Sequence, residues 1–214
     1  IEVERDSLDA GAGGIRIVSG TGGARVEVKQ AVSVGRPVHG MEVRVVSDDG
    51  PAAGLGEIQI RGTAVTPGYY GNAAATRDLF AGQGWLRTGD LGFMADGELF
   101  VMGRSKEMII VHGENFFPED VESIVRGIDG IYQKRCVAFP VTGGETERMG
   151  IIAEARSDVP PDRVRREIIA RLSADLSLSE VDVHVVEPRW LTRTTSGKWQ
   201  RTMAAQRISA NGGM

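Results

Sequence analysis

Hydrophobic and polar positions follow two different rhythms along this chain. Up to about residue 103 they alternate in short runs. Val26-Glu27-Val28, Glu42-Val43-Arg44-Val45-Val46 and Glu57-Ile58-Gln59-Ile60-Arg61 read as half-buried strands. Glycine-bearing turns at Gly20-Thr21-Gly22-Gly23, Asp48-Asp49-Gly50 and Asp96-Gly97 punctuate them. Ala73 to Phe80 is expected to form one short helix. Many short strands with such turns suggest a small barrel or sandwich.

From about residue 105 the rhythm becomes mixed. Met108 to Val111 is an apolar strand. Pro118 opens a helix, with Glu119 and Asp120 in its first turn. Val121, Ile124, Val125 and Ile128 then recur at helical spacing. Cys136 to Val141 and Gly150 to Glu154 read as strands, with a hairpin around Thr142-Gly143-Gly144. A second helix starts near Pro161, carrying Val164, Ile168, Ile169, Leu172 and Leu176 on one face. Val181 to Val186 is a last strand and Trp199 to Ile208 a last helix. The Asn211-Gly212-Gly213 tail is expected to fray. The fold class is therefore α/β (α+β), with a β-rich part at 1–104 and a small mixed α/β part at 105–214. The boundary falls near Arg104 to Lys106 without a long linker, and no internal repeat is visible.

Composition narrows the function classes. The chain has 214 residues, 41% of them hydrophobic, which suffices for a substantial core. A net charge of −4 advertises no basic surface for nucleic acid. Arg163, Arg165, Arg166 and Arg171 form either a local basic patch or, as charge runs usually do, a solvated helix face. The single cysteine, Cys136, sits in an apolar context and reads as a core residue. Without a partner it forms no disulfide within the chain, which fits a reducing cytoplasm. No stretch approaches the ~18 apolar residues of a membrane span. The start, Ile1 to Asp9, is acidic and does not resemble a signal peptide. An initial Ile in place of Met suggests a fragment or a processed product.

The candidate chemistry gathers in a few places. His39, His112 and His184 are scattered with no carboxylate or cysteine at metal-ligand spacing, so no structural metal site is expected. Met102, Met108 and Met149 read as packing residues. The Gly20–Gly23 run lacks the following helix that a phosphate cradle needs, and reads as a hairpin turn. Thr195-Ser196-Gly197-Lys198 looks like the end of a phosphate-binding P-loop. However, Thr192 stands where that loop needs glycine, and Trp199 where it needs Ser or Thr, so the assignment fails. What survives is a lysine on a flexible polar loop before a helix. It either reaches an anionic ligand or is an ordinary surface lysine. Asp90, at the end of a Thr-Gly-Asp turn, either accepts hydrogen bonds from a ribose diol or caps its own turn. Arg104 either binds ribose or phosphate oxygens or serves as an ion-pair partner.

Taken in order, these motifs carry a resemblance. Gly56-Glu57-Ile58-Gln59-Ile60-Arg61-Gly62, with Gly68-Tyr69-Tyr70 after it, resembles a strand and turn of the adenylation core. Arg87-Thr88-Gly89-Asp90-Leu91 resembles the ribose-binding turn of the adenylate-forming superfamily. Gly103-Arg104 followed by Gly113 resembles its hinge and the loop beyond. Thr194-Thr195-Ser196-Gly197-Lys198 resembles its closing motif. Within the superfamily, Trp85 to Phe93, Asp96 to Phe100 and Gly113 to Glu122 look like fatty acyl-AMP ligases, as does the wholly apolar Met108–Val111 strand, where many acyl-CoA ligases carry a lysine near Ile110.

The resemblance implies an enzyme that activates a fatty acid with ATP and passes the acyl group to the phosphopantetheine thiol of a holo acyl carrier protein. It implies Lys198 as the catalytic lysine, Asp90 and Arg104 as nucleotide-binding residues, Lys106 as the hinge and Gly113 on the loop that approaches the adenylate. ATP is then a substrate, and Mg2+ accompanies it through ligands outside this chain. The phosphate loop, adenine motif and acyl tunnel of the family belong to a region upstream. The chain is thus expected to be a carboxyl-terminal fragment, inactive by itself, with residues 1–104 the last part of the large domain and 105–214 the mobile small domain. Thr192 departs from a frequent proline, so the closing loop is expected to be less rigid. A fatty acyl-CoA ligase fragment and a non-catalytic carrier-protein docking module are the competing readings.

Overall fold

The computed structural model describes residues 1–8, 14–18, 28–47, 50–141 and 147–211. The glycine-rich turn at 20–23, the first two residues of the Val26–Val28 strand, Asp48-Asp49, the hairpin tip at 142–144 and the tail from 212 lie outside the described residues. The chain divides into two compact units, Ile1–Lys106 and Glu107–Met214.

In the first unit β1 (Glu2–Glu4) pairs antiparallel with β2 (Val28–Gln30). The main element is a five-stranded sheet built from β3 (Met41–Ser47), β4 (Gly50–Pro51), β5 (Gly56–Gly62), β6 (Leu86–Ala95) and β7 (Glu98–Arg104). Its order is β4-β3-β5-β6-β7, antiparallel throughout. Among the described residues β4 and β7 do not pair with each other, and β7 is bonded on its other edge as well: the Val34 N–H donates to the Leu99 carbonyl and the Leu99 N–H to the Gly35 carbonyl, both at 2.9 Å. The β6–β7 hairpin turns on Asp96 and Gly97, both at positive φ (51° and 76°), the backbone a tight two-residue hairpin requires. Alternation buries Val45, Ile58, Phe93, Phe100 and Met102, and the Phe93 and Phe100 rings stack at 4.9 Å. Between β5 and β6, α1 (Ala73–Leu79) starts on Asn72, whose side chain accepts from the Ala75 N–H.

The second unit opens with a hairpin of β8 (Ile109–Val111) and β9 (Glu114–Phe116). Next come α2 (Pro118–Arg126), β10 (Ile131–Val141), β11 (Arg148–Ala155), α3 (Pro161–Leu176), β12 (Val181–Val186) and α4 (Arg201–Asn211). Strand β11 is central: β10 pairs with it antiparallel and β12 parallel, with α3 as the crossover. Both faces of this sheet are covered. Met149, Ile151 and Ala153 of β11, with Cys136 and Ala138 of β10, meet Val121 and Val125 of α2 and Val164, Ile168 and Leu172 of α3. Ile152, Val137 and Phe139 face the other way, toward Leu191, Trp190, Trp199 and Ala204. Cys136 and Met149 are buried core residues, as expected.

Helices α2 and α3 both place proline in their first turn, where a missing N–H costs nothing. The apolar stripe expected on α2 is realised by Val121 and Val125, but Glu122 is buried beside them. Helix α4 begins at Arg201, not Trp199, because Trp199 forms a bridge with Arg193. The arginines of α3 are largely paired: Arg165 lies 2.6 Å from Asp162, Arg171 3.2 Å from Asp175 and Arg163 3.8 Å from Asp129. These are exposed pairs on a solvated face, each worth little.

Candidate functional site

The Arg87–Leu91 turn is built into β6. The Thr88 hydroxyl donates to the Ile58 carbonyl at 2.7 Å and accepts from the Asp90 N–H at 3.0 Å. The threonine, not the aspartate, therefore caps this turn. Gly89 adopts φ 71° between them. Asp90 sits directly across from Arg104 on β7, and the Arg104 Nε donates to Asp90 Oδ1 at 2.9 Å. The Asp90 side chain is one-third exposed and that of Arg104 more than half (33% and 57%), so the pair faces solvent instead of closing a core. An exposed pair of this kind contributes little to stability. Its chemical content is a carboxylate pre-oriented by an arginine, with acceptor capacity left for hydroxyl donors.

Lys106 is exposed in a short 3-10 turn, Ser105–Glu107, at the junction of the two units. Gly113 lies at the tip of the β8–β9 hairpin. His112 and Gly113 both have positive φ (52° and 87°), so the turn itself requires this backbone, and a Cβ on Gly113 would meet nothing within 4 Å.

Lys198 lies on a hairpin turn held by hydrogen bonds. The Thr194 N–H donates to the Lys198 carbonyl at 2.8 Å, and the Gly197 N–H to the Thr194 carbonyl at 2.9 Å. The Lys198 N–H donates to Thr194 Oγ1 at 3.1 Å, and the Thr194 and Ser196 hydroxyls lie 2.9 Å apart. The Gln200 N–H reaches the Thr192 carbonyl at 3.2 Å. The polar loop expected from the sequence is a hydrogen-bonded turn, with Thr192 contributing a carbonyl to it. Lys198 is exposed, and among the described residues its ammonium has no ion-pair partner. Trp199 anchors the turn, with Arg193 over its ring at 3.8 Å and its side chain packed against the Leu191 and Ala204 cluster.

The structure brings Asp90 and Arg104 together in the first unit and places Gly113 and Lys198 in the second. Sequence reasoning missed the charged groups that hold the second unit's turn. Arg201 donates to Glu122, Glu119 and Glu107, and Glu122 is fully buried (0%). Burial works against the Arg201 charge, but the carboxylates of Glu122, Glu119 and Glu107 more than offset it, so its pKa lies above the ordinary arginine value. Glu154, also fully buried, accepts from the Arg189 and Leu191 N–H groups at 2.7 and 2.6 Å and pairs with Arg135 at 2.7 Å. The available signal was a carboxylate inside an apolar stripe: Glu122 beside Val121 and Val125, and Glu154 in Gly150–Ala155. Among the described residues no group of three or more His, Cys, Asp or Glu is arranged to hold a metal ion, and no helix is long and apolar enough to cross a membrane.

No family model matches the chain. Similar proteins are nonetheless found. The long-chain-fatty-acid–AMP ligase FadD26 of Mycobacterium tuberculosis is 34% identical over 206 residues, covering 86% of this chain and 35% of that protein. A putative fatty-acid–CoA ligase, fadD21 of Mycobacterium leprae, is 35% identical over 187 residues, covering 77% of this chain and 32% of that protein. Among solved structures, one from a study of the fatty acyl-adenylate ligases of E. coli and L. pneumophila superposes with a TM-score of 0.80 at 29% identity, over 98% of this chain and 38% of that one. The chain spans about a third of the length of the curated relatives it matches. By its likeness to these fatty-acid–AMP and fatty-acid–CoA ligases, the chain belongs to the adenylate-forming superfamily.

Proposed function

We propose that this chain is the carboxyl-terminal part of an ATP-dependent fatty acyl-AMP ligase. The observation that carries the reading is the Lys198 turn, an ordered hairpin that presents an ammonium without a partner among the described residues. A fixed cation aimed at developing negative charge is what phosphoryl chemistry asks of a protein. In the first step a fatty-acid carboxylate oxygen attacks the α-phosphorus of ATP. The new P–O bond gives the acyl-adenylate as the bond to pyrophosphate breaks. Lys198 stabilises the charge that builds on the α-phosphate oxygens. Asp90 accepts hydrogen bonds from the ribose hydroxyls, and Arg104, bonded to Asp90, holds the carboxylate in place and contacts the same ribose. In the second step a phosphopantetheine thiol of a holo acyl carrier protein attacks the acyl carbonyl, loses its proton, and expels AMP. Residues 1–104 then form the last β-rich part of the large adenylation domain, and 105–214 the small mobile domain. Lys106 is the hinge, and Gly113 lies on the loop that approaches the adenylate after rotation. Mg2+ would accompany ATP through groups outside this chain; among the described residues no cluster of three or more His, Cys, Asp or Glu is arranged to hold it. The cytoplasm is the proposed compartment, in keeping with a lone, buried cysteine.

The competing product is acyl-CoA, favoured by the name of the fadD21 relative. The apolar β8 strand, Ile109–Val111, supports the acyl-AMP reading. Presenting the complete protein with ATP, fatty acid and either coenzyme A or holo carrier protein separates them. Thioester on the carrier alone supports the proposal; efficient acyl-CoA formation overturns it.

A further inference from the structure

We infer that Arg201 is a positioning residue that aims Lys198, through a clamp of three carboxylates drawn from two segments. The inference rests on the role proposed above for Lys198. Arg201 is the first residue of α4, three positions after Lys198. Its Nε donates to Glu122 Oε1 at 2.8 Å and one Nη to Glu122 Oε2 at 3.2 Å. The same Nη reaches Glu119 Oε1 at 2.8 Å, and the other reaches Glu107 Oε2 at 2.8 Å. Glu122 is in turn held by Arg126 at 2.6 Å and by the Ala138 N–H of β10 at 3.1 Å. The guanidinium is therefore fixed to α2, to the central sheet and to the residue immediately after Lys106.

This investment exceeds what an eleven-residue helix with one packed face needs for anchorage. Its path leads back to Lys198 over two residues. Gln200 donates to the Thr192 carbonyl, and the Lys198 carbonyl accepts from Thr194. A rotation of Arg201 is thus transmitted to the turn, not absorbed by slack. The fork geometry matters: three differently directed carboxylates are met by a planar group with fixed N–H directions, which an ammonium does not reproduce. Glu107 adds a second consequence. The first residue of the second unit is tied to the arm that carries Lys198, so a swivel at Lys106 moves Glu107, α2 and the lysine turn as one body.

The test is a double-mutant cycle in the complete protein, read as fatty-acid-dependent ATP–pyrophosphate exchange. Arg201→Lys keeps the charge and loses the fork; it is expected to lower kcat roughly tenfold, because small misplacements of a catalytic group are costly, while the KM for ATP stays within about twofold. In a Lys198→Ala background the same change should add less than about twofold, since there is no longer a lysine to aim. If Arg201→Lys multiplies the Lys198→Ala loss by its full factor, or leaves the rate of the otherwise unchanged enzyme untouched, the inference is wrong. Should Arg201→Lys abolish cooperative unfolding, Glu107→Gln replaces it in the cycle, because Glu107 is partly exposed and leaves two arms of the clamp in place. The same non-additivity is expected at smaller amplitude, and additive or absent effects overturn the inference. Lys198→Ala alone without effect sinks the Lys198 reading itself; a normal Lys198→Ala loss with an additive cycle sinks only the role of Arg201.

Discussion

Two buried carboxylates organise the second unit residue by residue. Glu154 lies on the sheet face opposite α2 and α3 and ties two N–H groups and Arg135 to one side chain. Removing it leaves two backbone donors unsatisfied and deprives the half-buried Arg135 of its carboxylate. Glu154→Ala is therefore expected to destabilise by about 3–5 kcal/mol, read as a lower midpoint in urea with an unchanged slope. A loss under about 1 kcal/mol would mean that water takes over its bonds. Cys136 shows the opposite use of burial. Desolvation, reinforced by the nearby Glu122 carboxylate, pushes its pKa up from 9.0 to about 12. The folded state thus favours the neutral thiol. Its contribution is complete below the unfolded pKa near 9.0 and is lost as pH rises toward about 12. The thiol should resist a disulfide reagent at pH 8 in the folded protein and react at once in denaturant; rapid labelling of folded protein would contradict the burial.

Elements were legible in the sequence where the information was local. The Pro161 start and the spacing of Val164, Ile168 and Leu172 specify α3, and alternation specifies β12. Asp96-Gly97 announces its hairpin. What was not legible depends on distant partners. Trp199 looks helical, but its bridge to Arg193 and the arginine over its ring delay α4 to Arg201. The hydrogen bonds that Thr194 and Thr192 make in the Lys198 turn are not visible in the sequence, because they exist only when the turn is closed. That Thr88, and not Asp90, caps the Arg87–Leu91 turn depends on the Ile58 carbonyl of a neighbouring strand. The paired strands also impose a close approach that composition does not reveal. A Cβ at Gly92 would lie 2.4 Å from the Phe100 carbonyl oxygen and 2.7 Å from Ile58 Cδ1. Gly92→Ala is expected to cost about 1–3 kcal/mol, measured as a lower melting temperature; unchanged melting would show that β6 and β7 shift apart cheaply.

For the whole molecule, the division after Lys106 separates two sets of groups that one reaction would use. Asp90 and Arg104 belong to one unit, Lys198 and its carboxylate clamp to the other. Matching about a third of its relatives' length, the chain lacks counterparts to most of their sequence. The 214-residue chain alone is expected to give no fatty-acid-dependent pyrophosphate exchange; robust turnover would show that a third of the relatives' length suffices. Asp90→Ala in the complete protein should chiefly raise the KM for ATP, by roughly tenfold for lost charged hydrogen bonds, and a pure kcat effect would move Asp90 from binding to chemistry. The central claim is that Lys198 serves the α-phosphate, and acyl-adenylate formation by complete Lys198→Ala protein tests it most directly. The account predicts a fall of about a hundredfold or more with an unchanged melting temperature, whereas adenylate formation at the rate of the unsubstituted enzyme would contradict it.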